Sequence, residues 1–296
     1  RAAIASRLDA YERLVRLDKP IGILLLLWPT LSALWLAAHG TPSWSLVLIF
    51  TMGTILMRSA GCAVNDWADR RFDLHVARTA GRPLATGEIS GWEALAVAAV
   101  LAFFAFLLVV ATNRTTILLS FPAVVIAVVY PFFKRFFVLP QAFLGIAFSF
   151  GMPMAYAAVY DVVPPIAWGL LVLNLFWVVA YDTEYAMVDR DDDLRLGLRT
   201  SAIVFGRSDV GAVMLCYAVY LVGMTYVGIW QGMGPLYYAG LTLALACGAF
   251  HWTLIRSRDR DGCFRAFLHN HWFGLAVFAG VAFDYAVRLS AWPRVL

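Results

Sequence analysis

The chain has 296 residues, 62% of them hydrophobic and 14% charged, with a formal net charge of +4. Soluble domains carry about 25% charged residues, so this composition, with its mean hydropathy of +0.75, excludes that class. The basic residues form no nucleic-acid-binding run, and Cys62, Cys216, Cys247 and Cys263 stand apart without CxxC spacing, as small packing residues in or near apolar segments do.

Taken in order, residues 1–18 interleave leucine and alanine with Arg7, Arg13 and Arg16, a pattern that predicts an amphipathic helix lying at a membrane interface. This polar, basic start shows no cleavage-site pattern, so a secretory signal is not expected. Lys19-Pro20 opens a first span over about 20–38, proline being tolerated at a helix start. A second span, about 44–64, runs into Asn65-Asp66-Trp67-Ala68-Asp69-Arg70-Arg71-Phe72-Asp73. A charged loop over about 67–90 follows, with Arg78 and the turn signal Arg82-Pro83. Further spans are expected at about 92–111, 115–133, 138–159 (broken by Pro153) and 166–186. The fourth ends in Tyr130-Pro-Phe-Phe-Lys134-Arg135, and the sixth runs into a second acid-rich stretch, Asp182 to Asp193. A second charged loop over about 187–207 leads to spans at about 209–229 and 235–255. A basic loop, Arg256 to Arg265, precedes the last span at about 271–289. The expected fold is all-α: a polytopic membrane protein of about nine spans forming one domain over residues 1–296.

Nearly all Lys and Arg fall in the N-terminus and in the loops after the second, fourth, sixth and eighth spans; the opposite side holds only Arg114, Arg288 and Arg294. The positive-inside rule then puts the N-terminus and both acidic stretches on the cytoplasmic side. An even number of spans separates the two stretches, so they share a side and can share a site.

If the second helix continues through its motif, Asn65, Asp69 and Asp73 fall at i, i+4 and i+8 on one face. Asp189 and Asp193 repeat the spacing, with Asp182 two turns earlier on the same face. Acids stacked this way repel unless a cation lies among them. Magnesium uses one or two carboxylates and fills its other positions with water or substrate phosphate oxygens, which predicts Mg²⁺ and a diphosphate ligand. Arg78, Arg82, Lys134 and Arg199 sit in the same set of loops and are candidates for the phosphate oxygens; His75 is a further hydrogen-bonding candidate. Arg58 lies inside a span, where an unpaired cation is expensive. Aromatic residues, 15% of the chain, supply walls for a carbocation. A cation-coupled transporter is the rival from another class, but such sites lie near mid-membrane on broken helices, not at helix ends on one side. A CDP-alcohol phosphatidyltransferase would lack this paired arrangement of acids.

The stretches GCAVNDWADRRFDLHVARTAGRPLATGEIS, YPFFKR, YDTEYAMVDRDDDLRLGLRTSA and RLDKPIGILLLLWPT are similar to those of the UbiA family of intramembrane prenyltransferases, over essentially the whole chain. The long second acidic block resembles the bacterial branch that acts on 4-hydroxybenzoate in ubiquinone synthesis. The resemblance implies a helical bundle whose cavity opens toward the cytoplasm, with a lateral portal for lipid, in the bacterial inner membrane. It implies Mg²⁺ at Asn65, Asp69, Asp73, Asp189 and Asp193, the four aspartates being catalytic. It puts Tyr130, Lys134, Arg58, Arg78 and Arg82 near the diphosphate. Polyprenyl diphosphate, 4-hydroxybenzoate and the lipid bilayer are the expected partners, without nucleic acid or an obligatory protein partner. Arg135, Arg58 and Asp182 are the acceptor-side candidates, and a sister activity on homogentisate, naphthoate or haem is the alternative.

Overall fold

The computed structural model describes residues 2–71, 73–76, 78–133, 137 and 139–291, with side chains omitted at 2–4 and 291. Lys134 and Arg135 therefore lie outside the described residues. Every regular element among the described residues is helical, as expected where backbone N–H and C=O groups find no water and must pair within their own segment. The order is α1 (Ala2–Val15), α2 (Ile21–Ala37), α3 (Trp44–Asp69), a short 3₁₀ turn (Asp73–His75), α4 (Gly91–Val110), α5 (Arg114–Phe133), α6 (Pro140–Ser149) and α7 (Gly151–Tyr160). There follow α8 (Pro165–Leu196), α9 (Ser201–Phe205), a 3₁₀ turn (Gly206–Ser208), α10 (Asp209–Trp230), α11 (Pro235–Ile255) and α12 (Arg260–Ala291).

Eight of these helical segments are long and apolar enough to cross a membrane, with α6 and α7, and likewise α9 and α10, counted together. The ninth expected span is α2, an apolar helix of 17 residues. At 1.5 Å per residue it is about 26 Å long, slightly short of the roughly 30 Å hydrocarbon core. It is also the helix most enclosed by others, packing on α3, α7 and α12, with Leu25, Ala33, Leu34 and Leu36 buried.

Four boundaries differ from the sequence expectation. The break in the fifth span falls at Phe150, one turn before Pro153, because the proline ring and missing N–H disturb the carbonyl four residues upstream, at Ser149. The expected loop over 187–207 is largely helix: α8 runs on to Leu196 and stops at Gly197, whose left-handed φ of 67° caps it. Leu198 N–H reaches back to the Asp193 carbonyl at 3.0 Å, completing a Schellman-type end. The expected basic loop to Arg265 shortens, because α12 begins at Arg260, capped by Gly262 N–H donating to Asp259 Oδ1 at 2.7 Å. Finally, α3 ends at Asp69, so Asp73 sits on a separate 3₁₀ turn and not on the helix of Asn65 and Asp69.

α11 and α12 pack closely against each other. A Cβ on Gly240 would stand 2.6 Å from the Ala276 carbonyl and 2.7 Å from the Gly280 Cα, a backbone approach that only glycine permits. The N-terminal α1 lies against α3 and is tied to the start of α4: Arg7 and Tyr11 donate to the Glu93 carboxylate, and Arg13 pairs with Glu88 at 2.5 Å.

Candidate active site

A cavity of about 790 Å³ runs between α2–α8 and α12. One end is charged, lined by Arg16, Lys19, Asn65, Asp66, Arg78 and Arg82. Next come Arg58, Tyr130, Tyr181, Asp182 and Tyr185, and the remainder is apolar, with Phe50, Phe106, Val124 and Phe148 on its walls. Thr112 and Thr116 also line it; their hydroxyls donate to the Val109 carbonyl at 2.6 Å and to Asn113 Oδ1 at 2.8 Å.

The first motif and the segment after it fold back onto the second motif, as expected of two stretches on one side. Arg78 donates to both Asp189 oxygens, at 3.2 Å through Nε and 2.5 Å through Nη2. Its guanidinium lies 4.3 Å from the centre of the Tyr185 ring. Arg82 bridges Asp73 at 2.8 Å and Asp66 at 3.1 Å. Arg16, from the end of α1, reaches the same Asp66 oxygen at 2.6 Å, its backbone in the left-handed region at φ 56°, which a residue other than glycine seldom adopts. Asp66, Asp69, Asp73, Asp189 and Asp193 are all buried. Burial holds the Asp73 carboxyl above its ordinary value, and the neighbouring Arg82 charge offsets this only in part.

Of the residues singled out in the sequence, Asn65, Arg58, Arg78, Arg82, Tyr130 and Asp182 line the cavity. Asp69, Asp73, Asp189 and Asp193 are not among the lining residues; Asp73 and Asp189 pair with the lining arginines Arg82 and Arg78. Arg199 is exposed and does not reach the cavity: α8 has already ended at Gly197, so the chain turns away before it. His75 is exposed as well. Residues missed in the sequence are Arg16, Asp66, Gly22 and Tyr185. The first two were visible only as charges flanking the named motifs, and their pairing spans 50 positions. Gly22 owes its place to geometry: a Cβ there would stand 2.5 Å from Arg58 Nε.

No three acidic, cysteine or histidine side chains among the described residues converge on a single point. The donors nevertheless fit Mg²⁺. They are hard carboxylate and amide oxygens on facing segments, and two cavity-lining atoms among them, Asn65 Oδ1 and Asp66 Oδ2, are buried without a hydrogen-bond partner. A buried acceptor left unmatched in this way is costly, and a cation satisfies it.

Comparison with known proteins follows the same lines. The family model described as the UbiA prenyltransferase family matches residues 26–274. A protein of Cupriavidus necator named 4-hydroxybenzoate octaprenyltransferase is 62% identical over 282 residues, covering 95% of this chain and 99% of the relative. One of the same name from Janthinobacterium sp. is 62% identical over 284 residues, 96% of this chain and 100% of the relative. Among solved structures, the apo UbiA homologue of Aeropyrum pernix K1 superposes with a TM-score of 0.77 at 25% identity, covering 89% of this chain and 97% of its own. A UbiA homologue from Archaeoglobus fulgidus bound to GPP and Mg²⁺ shares the fold, with a TM-score of 0.70 at 19% identity over 94% of this chain and 99% of its own.

Proposed function

The chain belongs to the UbiA prenyltransferase family, and we propose that it transfers a polyprenyl group from polyprenyl diphosphate to the ring carbon ortho to the hydroxyl of 4-hydroxybenzoate, with Mg²⁺, in ubiquinone synthesis. The observation that carries this reading is the single cavity joining the Arg78, Arg82, Asn65 and Asp66 end to a long apolar body. That combination suits a substrate with a multiply charged head and a hydrocarbon tail. The acceptor is argued from relatives of 62% identity that bear its name.

In this reading Arg78 and Arg82 turn from their carboxylates to the diphosphate oxygens, where charge-assisted hydrogen bonds hold the leaving group. Asn65, Asp69, Asp73, Asp189 and Asp193 would hold Mg²⁺, which when bound would supply Lewis-acid neutralisation of the same charge. The allylic C–O bond breaks beside cavity-lining rings, Tyr185 and Phe267 among them; the Tyr185 face that Arg78 leaves becomes available to stabilise positive charge. The apolar walls keep water from the cation. Arg58 Nε and the Tyr181 hydroxyl are buried in the cavity wall without hydrogen-bond partners, and both suit the acceptor's carboxylate. Arg58 is two turns along α3 from Asn65, about 10 Å, so this reading moves it from the diphosphate to the acceptor. Asp182 belongs to the same half of the cavity. The ring attacks through its ortho carbon and loses a proton to regain aromaticity.

The whole chain acts as one domain in a bacterial inner membrane, with the charged end of the cavity toward the cytoplasm, where the positive-inside rule puts the arginine-rich loops. The test of substrate is direct. Membranes containing the protein, given Mg²⁺, polyprenyl diphosphate and 4-hydroxybenzoate, yield prenylated 4-hydroxybenzoate by mass spectrometry. Transfer to homogentisate or a naphthoate but not to 4-hydroxybenzoate overturns the assignment.

A further inference from the structure

Behind the cavity wall, α8, α10, α11 and α12 share a polar cluster that the proposed reaction does not use. Glu184, His251 and Asn270 are 0% exposed and Tyr217 2%, in spans where an unpaired ionisable group is expensive. Trp177 Nε1–H donates to Asn270 Oδ1 at 2.9 Å. An indole nitrogen can only donate, so this bond fixes which end of the Asn270 amide is oxygen. Asn270 Nδ2 then donates to Glu184 Oε2 at 2.8 Å.

Counting hydrogens gives the state of the cluster. The Tyr217 oxygen lies 2.8 Å from Asn270 Oδ1 and 3.0 Å from Glu184 Oε1, two acceptors for one hydroxyl hydrogen. Were Glu184 ionised, one of these close oxygen pairs would have no proton between its atoms. With a proton on Glu184 every contact is bridged. Glu184 donates to Tyr217, and Tyr217 donates to Asn270. His251 Nδ1–H donates to Tyr217 at 2.9 Å, and His269 Nδ1–H donates to His251 Nε2 at 3.0 Å. A fully bridged network rigidifies the helices it joins, whereas a partly bridged one is worse than an apolar contact.

The cluster is connected to the site by direct contacts. Glu184 is on α8 and Asn270 on α12, so their hydrogen bond fixes the rotation of one helix against the other. On the same two helices, the Tyr185 and Phe267 rings lie against each other, centroids 4.4 Å apart and tilted by 31°. The Tyr185 ring seats Arg78, and Arg78 grips Asp189.

We propose that Glu184, as a neutral acid, is a positioning residue that locks α8 against α12 and so holds Tyr185 beneath Arg78 at the charged end of the cavity. The proposal rests on the prenyl-transfer reading for its kinetic measurement, but not for its binding measurement. The full-length protein is compared with Glu184→Gln, Glu184→Leu and Tyr217→Phe. KM and kcat are taken for polyprenyl diphosphate, and affinity for pyrophosphate with Mg²⁺ is taken from the ligand-induced shift in melting temperature, without acceptor.

A glutamine reproduces the protonated acid, its N–H donating to Tyr217 and its carbonyl accepting from Asn270, so Glu184→Gln keeps wild-type KM, kcat and affinity. Glu184→Leu weakens pyrophosphate binding and raises KM by about ten- to a hundredfold, the range for residues that orient a ligand-binding group. If the leucine variant does not fold, Tyr217→Phe, which removes only the shared hydroxyl, moves both quantities in the same direction. A folded Glu184→Gln protein that binds pyrophosphate but does not turn over makes Glu184 a proton carrier and overturns the proposal. Wild-type affinity and KM in the leucine or phenylalanine variant overturn it too. A wild-type protein that transfers no prenyl group, while Glu184→Leu still loses pyrophosphate affinity, faults the proposed function and supports the positioning role.

Discussion

Gly22 and Arg58 act as a pair, because the absence of a side chain on α2 is what lets a guanidinium lie against it. Any Cβ at Gly22 pushes Arg58 away from its seat beside Phe148, whose ring centre is 5.8 Å off. Hydrogen bonds to a charged group contribute about 1.5–3 kcal/mol. Arg58→Ala is therefore expected to raise KM for 4-hydroxybenzoate about tenfold or more, with little change in KM for polyprenyl diphosphate, and Gly22→Ala is expected to move KM in the same direction by less. An equal rise for both substrates returns Arg58 to the diphosphate. Arg58 was legible in the sequence as a cation inside an apolar run, but Gly22 was not, since a glycine in such a run carries no mark of what approaches it.

Arg16 makes a second residue-scale case. It and Arg82 share one oxygen of Asp66, which is 1% exposed. Arg16→Ala leaves Asp66 with half of its compensation at a cost of about 1–3 kcal/mol, which a lowered thermal midpoint measures. An unchanged midpoint shows that Arg82 alone suffices.

Among the elements, the extents of α8 and α12 show where a hydropathy reading stops short. Both helices extend well beyond their apolar stretch into charged sequence, where charges find partners: Arg190 of α8 and Arg258, just before α12, converge on the buried Asp209, and Arg260 of α12 reaches Asp192 of α8. Their ends are set by Gly197 and Asp259, cap signals that carry no hydropathy. The same extension keeps Asp189 and Asp193 on a rigid helix, and it leaves Arg199 beyond the cap, outside the site. The first motif shows the opposite error: its even spacing suggests one helix through Asp73, but the helix ends at Asp69 and Arg82 gathers Asp73 from a separate turn.

Helix packing yields its own test. Gly240→Ala drives a methyl into the α12 backbone, whereas nothing stands within 4 Å of a Cβ at Gly211. Gly240→Ala should cost about 1–3 kcal/mol and lower the thermal midpoint, while Gly211→Ala should not. Equal midpoints argue that α11 and α12 meet elsewhere.

For the whole molecule, the span parity and the arrangement of basic loops are legible in the sequence, because they depend only on the order of apolar and charged segments. The meeting of Arg78 with Asp189 across 111 positions agrees with that parity. Contacts such as Glu184 with Asn270, 86 positions apart, are not legible there, since no periodicity links them. Orientation in the membrane is testable by labelling: Arg199→Cys should react with an impermeant thiol reagent only from the cytoplasmic side and Arg114→Cys only from the opposite side. The reverse pattern contradicts the proposed topology.

The function proposed for this chain turns on the two acidic motifs forming one magnesium-dependent centre for prenyl transfer. The decisive assay is product formation from polyprenyl diphosphate and 4-hydroxybenzoate in membranes holding the wild-type chain, Asp69→Ala or Asp189→Ala. Wild-type product should disappear on chelation with EDTA and return with added Mg²⁺, and either substitution should abolish it while the protein remains in the membrane. Full turnover in both variants, or turnover indifferent to EDTA, contradicts a shared magnesium centre.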